Sequence, residues 1–261
     1  MAKTARKTKR RPAARKADPV REARRDLAAA LRWAARLGFS EGTCNHFSLK
    51  VPGAEDRYLI NPHGLHWSEI RASDLLMVDA QGKVLEGDLP VEETAFYIHS
   101  RVHRANHDAK CVLHTHMPYT TALTAVENGR LEPCVQSALR FYDGIAYDDD
   151  EGGYNGLATD TAEGDRMCRA LGDKRVLMLA NHGVIVVGNS VARAFDDLYY
   201  LERAAQAQVI AMSTGRKLKL VGGNLAAKAR DQILEHIDLY AGVHFTALRR
   251  ILDREAPEYA D

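Results

Sequence analysis

Apolar and polar positions along this chain follow two periods, and the two interleave. From Val20 through Leu27, Ala30, Leu31, Ala34 and Leu37 the apolar residues recur at helical spacing. Asp18-Pro19 supplies an N-cap followed by proline in the first turn, and Gly38 a stop. Period-two alternation comes next, with Phe47 and Leu49 set against Ser48 and Lys50. Tyr58-Leu59-Ile60 and Leu75–Val78 predict further strands, and Val84–Gly87 pairs back across the Ala80–Lys83 turn. A helix is predicted from about Val91 to Asn106, then a strand at Cys111-Val112-Leu113 and a helix near Thr120–Val126. Residues 132 to 153 read as an irregular, polar segment. A capped helix from Thr161 to about Leu171 precedes two strongly apolar strands, Arg175–Ala180 and Val184–Gly188. A long helix from Val191 to about Ser213 and a last one from Ala226 to Leu252 complete the pattern. No internal repeat and no Pro/Gly-rich linker interrupts it, which predicts one α/β domain over residues 18–261.

Composition agrees: 261 residues, 46% hydrophobic and 27% charged, provide material for a core. No apolar run reaches the length of a membrane span, and the polar, basic N-terminus does not read as a signal peptide. Charge changes the picture at one end. Residues 1–25 hold eleven Lys/Arg against Asp18 and Glu22, a net of +9; the whole chain is +1, so the remainder stands at −8. Residues 1–17 therefore read as a disordered, solubilising tail, and the mildly acidic body argues against a nucleic-acid surface. The four cysteines, Cys44, Cys111, Cys134 and Cys168, show no CxxC pairing and predict reduced thiols in a cytoplasmic protein.

Candidate chemistry centres on His114-Thr115-His116. On a strand, residues two apart share a face, so both rings can hold two corners of a metal site. The same pattern also fits two ordinary core or rim histidines. His182, in a tight Asn-His-Gly between two apolar strands, is predicted to sit at a junction inside the fold, where its ring needs a partner. A backbone carbonyl, a water, or a metal shared with His114 and His116 would each serve. Asn45 with His46, and Asn61 with His63 and Gly64, lie beside glycines in segments that read as ligand-approaching loops or as plain turns. His99, His103 and His107 recur at i, i+4 and i+8, and the last two are expected on a solvated helix face. Arg140 is a candidate for bidentate pairing with a substrate carboxylate, or a surface arginine on an irregular loop.

Taken in order, several stretches resemble the class II aldolase/adducin domain family. They are Glu41-Gly-Thr-Cys-Asn-His-Phe-Ser, Ile60-Asn-Pro-His-Gly, Asp79-Ala-Gln-Gly-Lys with Glu86-Gly, and Ile98-His99. Asp108-Ala-Lys-Cys-Val-Leu-His-Thr-His116 and Ala180-Asn-His-Gly-Val184 continue the match. The resemblance implies a central, mainly antiparallel sheet with helices on both faces. It also implies a homotetramer with sites between subunits, and a divalent metal, usually zinc, held by His114, His116 and His182. Enzymatic members add a glutamate that serves as ligand and proton-transfer base. Aligned on Ile98-His99, Ala95 falls at that position; aligned on Pro90, Glu93 does, and Glu93 is the expected base. The hydroxyl donors that hold phosphate in the family's sugar-phosphate aldolases are largely missing from Cys44–Ser48, Asn61–Gly64 and Val91-Glu92, which argues against a phosphosugar. A tyrosine acid of some aldolases falls near Ser137, leaving Tyr119, Tyr142 and Tyr259 as unassigned replacements. The expected activity is a metal-dependent lyase acting on a small hydroxy-carbonyl or carboxylate-bearing substrate, by aldol cleavage or decarboxylation through an enediolate-type anion. The alternative is a non-catalytic, adducin-like scaffold.

Overall fold

Asp18 caps the first helix as its sequence requires, its carboxylate accepting the Val20 N–H at 3.0 Å, and Pro19 occupies the first turn. The computed structural model describes residues 18–261 apart from 55, 107, 150–153, 155 and 157–160; the side chains of residues 93, 94 and 161 also lie outside the description. The predicted tail, 1–17, and His107 are therefore outside the described residues.

Eight strands form one sheet. They are β1 (His46–Lys50), β2 (Arg57–Ile60), β3 (Leu76–Asp79), β4 (Val84–Glu86), β5 (Cys111–Thr115), β6 (Ile145–Asp148), β7 (Val176–Leu179) and β8 (Gly183–Gly188). Their order is β4-β3-β2-β1-β5-β8-β7-β6. Every neighbouring pair is antiparallel except β6 with β7. The helices are α1 (Pro19–Arg36), α2 (Glu93–Ala105), α3 (Pro118–Thr124), α4 (Gln136–Leu139), α5 (Thr161–Leu171), α6 (Val191–Met212), α7 (Gly223–Leu234) and α8 (Ile237–Glu255).

Alternation along the strands decides the layers. Phe47, Leu49, Leu113, Val184 and Val186 face α1, α6 and α8, meeting Leu27, Leu31, Phe195, Leu198, Phe245 and Leu252 in the larger core. Their neighbours Val112, Leu177, Ile185 and Val187 face the other way, against Ile98 and Val102 of α2 and Met167 and Leu171 of α5. Each such buried aliphatic contributes roughly 1.5–3 kcal/mol relative to exposure. The predicted class, a mainly antiparallel sheet covered by helices on both faces, holds. Because odd and even positions part company, His46, Ser48 and His114 are committed to the α2 side, opposite the larger core.

Two elements differ from the pattern-based reading. Ile145–Asp148 forms the edge strand β6 inside what read as irregular chain; its residues are mostly half-buried, so no apolar run marks it. The last helix is two, because the backbone at His236 (φ −123°, ψ 15°) leaves helical geometry and α8 starts afresh. No helix among the described residues is long and apolar enough to cross a membrane.

Candidate metal centre

β5 ends at Thr115, which turns its hydroxyl to the Phe39 carbonyl at 2.8 Å, while His114 and His116 flank it on the other side of the chain. The β7–β8 connection brings His182 to them. Asn181 takes a left-handed conformation (φ 55°), which asparagine tolerates, and the His182 N–H closes the turn on the Leu179 carbonyl at 3.2 Å. The three rings sit edge to face, with centroids 4.8 to 5.1 Å apart. One nitrogen from each lies within 4.8 Å of the other two.

Hydrogen bonds on the far side of two rings set which nitrogens are available. A carbonyl only accepts, so His114 Nδ1–H donates to Val184 O at 3.0 Å and Nε2 carries the lone pair. His116 Nδ1–H donates to the Glu41 carboxylate, which leaves Nε2 bare, buried and without a hydrogen-bond partner among the described residues. These are the backing partners that metal-ligating histidines use to fix tautomer and orientation. Burial holds the His114 imidazole well below its usual pKa, with the His182 and His116 charges adding to the effect. Burial pushes His182 down to about 4, again with His116 contributing. Both rings are thus neutral near pH 7, the form that binds a cation. Three ring nitrogens within 4.8 Å of one another, one of them, His116 Nε2, buried and without a partner among the described residues, fit a divalent ion such as zinc.

Gly183 makes that approach possible. A Cβ there would lie 2.6 Å from the Thr115 carbonyl oxygen and 2.7 Å from His116 Cδ2. Gly183→Ala is expected to cost about 1–3 kcal/mol through overpacking, since a backbone carbonyl cannot step aside cheaply, and to push the His116 ring off its site. Urea unfolding and a zinc titration of the variant check this; wild-type values in both would refute it.

The centre opens into a cavity of about 560 Å³. Asn45 and His63 line it; Gly64 is not among its lining residues and takes a positive-φ turn (φ 92°). Asn61 is structural: its side chain accepts the Phe47 N–H at 2.9 Å and donates to the Asn45 carbonyl at 3.3 Å, bracing the strand that carries His46. Glu92 also lines the cavity, its Oε2 lying 3.1 Å from His46 Nε2. Burial, opposed by Glu92, takes the His46 pKa down to about 4. Glu93 is the first residue of α2, whose N-terminal end borders the cavity; its side chain is outside the described residues. Ala95 is buried in the cavity wall.

Arg140 is a correction. It is neither on the cavity nor at the surface. Its guanidinium is buried, bonded to Asp196 at 2.7 Å and 2.9 Å from Asp197, and lies over the Tyr200 ring at 4.6 Å. The carboxylates it binds are those of α6, so it ties α4 to α6, and its charge is neutralised there, away from the cavity. Of the tyrosines, the cavity takes Tyr154, whose ring centroid is 6.1 Å from that of His182, and not Tyr119, Tyr142 or Tyr259. Expecting His103 on a solvated face was also wrong. His99 and His103 are both buried against the sheet, where Ser48 of β1 bridges them. Tyr154 and Glu41 were not singled out as site residues, and His99 was noted without its place on the cavity, because their partners are remote; Glu41 is 75 residues from His116.

The Class II Aldolase and Adducin N-terminal domain profile matches residues 25–209. A Caulobacter vibrioides protein named for its likeness to class 2 aldolases is 38% identical over 242 residues, 92% of each chain. Alpha-adducin of Mus musculus is 38% identical over 187 residues, 70% of this chain and 25% of its own length. The crystal structure of an aldolase II superfamily protein from Pseudomonas syringae superimposes with a TM-score of 0.87 and 36% identity, covering 95% of this chain and 98% of that one. The sheet, its helical layers and these matches over most of the chain establish that the protein belongs to the class II aldolase/adducin family.

Proposed function

We propose that the protein is a divalent-metal-dependent lyase, with zinc the expected ion, acting on a small hydroxy-carbonyl or carboxylate-bearing substrate by aldol cleavage or decarboxylation. The observation that carries this reading is the convergence of His114, His116 and His182, each neutral or bare at the nitrogen turned to the others. An ion held there would supply Lewis-acid polarisation of a substrate carbonyl. The chain's own residues do the rest. Glu41 and the Val184 carbonyl orient His116 and His114 from behind. Asn45 and His63 bind substrate at the cavity wall. Glu93, at the end of α2 that borders the cavity, is assigned to move the proton. Among the described residues the cavity lining has no lysine or arginine and includes Glu41, Glu92 and Glu163, which disfavours a phosphorylated substrate.

The four cysteines, all free, support a reducing, cytoplasmic setting. Ile210, Leu220, Leu225, Leu239, Tyr240 and Val243 are exposed on and between α6, α7 and α8, which supports burial in a homo-oligomer; we take it to be the homotetramer implied by the sequence resemblance. The adducin-like scaffold is the rival, and the intact histidine set favours the enzyme.

Metal analysis separates the two. We expect stoichiometric zinc in the purified chain, lost to a strong chelator. Exchange of dihydroxyacetone α-hydrogens with D2O, and cleavage across a panel of hydroxy-keto acids, should stop with the metal removed and return on reloading. A chain that neither carries nor takes up zinc is a scaffold.

A further inference from the structure

We propose that His99 Nε2 is the hydrogen-bond acceptor for a substrate hydroxyl, held as a bare lone pair on the cavity wall by a relay that ends on the backbone. The inference deepens the reading of the cavity as a substrate site and rests on it.

The relay can be solved from its fixed end. The Ala109 carbonyl only accepts, so its 2.6 Å contact with His103 Nδ1 requires the proton on that nitrogen. A neutral imidazole has one N–H, so His103 Nε2 is a lone pair and takes the Ser48 hydroxyl proton at 2.7 Å. That spends the only proton Ser48 has. Its oxygen must then accept from His99 Nδ1–H, 2.6 Å away. His99 in turn has no proton for Nε2. Burial keeps both rings uncharged, well below the usual histidine pKa for His99 and about 3 for His103, so no extra proton breaks the sequence.

Nδ1 is spent on Ser48, so Nε2 is the ring nitrogen left to serve the cavity that His99 lines. His99 lines the cavity, one helical turn after Ala95. His99 is 3% exposed, and among the described residues nothing donates to Nε2. His99 is not one of the nitrogens gathered within 4.8 Å at the metal centre. A buried acceptor without a donor costs about 1–3 kcal/mol, a penalty that a bound hydroxyl removes. It also selects. A hydroxyl can donate to it, whereas a carboxylate or phosphate oxygen presents a second lone pair. With no lysine or arginine among the described lining residues, the class favoured is an uncharged, polyhydroxylated carbonyl compound. Ser48 and His103 are positioning residues for this contact.

The test uses the full chain, zinc-loaded and labelled with 15N-histidine, in long-range 1H–15N correlation spectra. His99 should show Nδ1 protonated and Nε2 bare, and dihydroxyacetone should move the Nε2 resonance where acetone does not. Ser48→Ala should weaken dihydroxyacetone binding about tenfold, the loss of one net hydrogen bond, with zinc occupancy unchanged. A proton on His99 Nε2, an equal response to acetone, or unchanged dihydroxyacetone affinity in Ser48→Ala overturns the proposal. So does a His99 signal that shifts on zinc addition alone, which would make it a ligand. Silence of His114, His116 and His182 towards zinc is a different result and defeats the metal reading itself.

Discussion

His182→Ala is expected to abolish stoichiometric zinc and, with it, exchange of dihydroxyacetone α-hydrogens. His182 gives the cleanest exchange because it sits on the β7–β8 turn and is half-buried, so its ring can leave without opening either core. His114 is buried in the sheet and bonded to Val184, and its loss would also disturb β5 and β8. A catalytic zinc site draws on three protein ligands, and two imidazoles alone hold the ion far more weakly. The affinity loss should exceed the ~10–100-fold that removal of an outer partner such as Glu41 brings. Unfolding provides an independent readout. Zinc at a hundred times its dissociation constant stabilises the wild-type chain by about 2.7 kcal/mol, and the variant should show no such gain. Equal zinc content in wild type and His182→Ala would remove the ion from this centre altogether.

How much of this was legible beforehand follows from the range over which each signal acts. The start of α1 is local: Asp18, Pro19 and the Val20 N–H lie within three residues, and the sequence alone places it. The candidate metal centre was half-legible. His114-x-His116 is a local motif, but joining it to His182 needs the pairing of β5 with β8, which puts Thr115 opposite Val184 and so brings the Asn-His-Gly turn alongside. The sequence offered that link as one of three partners for His182, and the family resemblance selected it. Long-range polar partners left no trace at all. Arg140 read as a surface or substrate-binding group because Asp196 and Asp197, which neutralise it, lie 56 and 57 positions on. His103 read as solvated because Ser48 is 55 residues away. Gly183 appeared only as the last residue of a tight Asn-His-Gly, whereas its need is spatial and arises from Thr115 and His116 on the neighbouring strand's end. Helix caps and strand alternation are contacts with near neighbours; the candidate site is built almost wholly from contacts that are not.

Glu93→Gln should lower turnover by ~10²–10⁴, the range that a positioned acid or base contributes, while zinc occupancy stays intact. The assignment starts from the helix. Glu92 is the N-cap of α2 and Glu93 its first residue, so both acids stand at the end of the helix that borders the cavity. Ala95, two residues on and buried in the cavity wall, offers no ionisable group where the alternative alignment puts the glutamate. Glu92 is already committed to His46, 3.1 Å from its ring nitrogen. A carboxylate paired with an imidazole steers that ring and is less free to exchange protons with a third group. Glu92→Gln is therefore expected to change substrate affinity through His46 more than turnover. Gln keeps the shape of each side chain and removes only its proton chemistry, so loss of turnover without loss of zinc distinguishes a base from a ligand. If Glu93→Gln instead gave up the ion, Glu93 would be a fourth ligand. If turnover fell only in Glu92→Gln, the base would sit one residue earlier, and His46 would be its orienting partner.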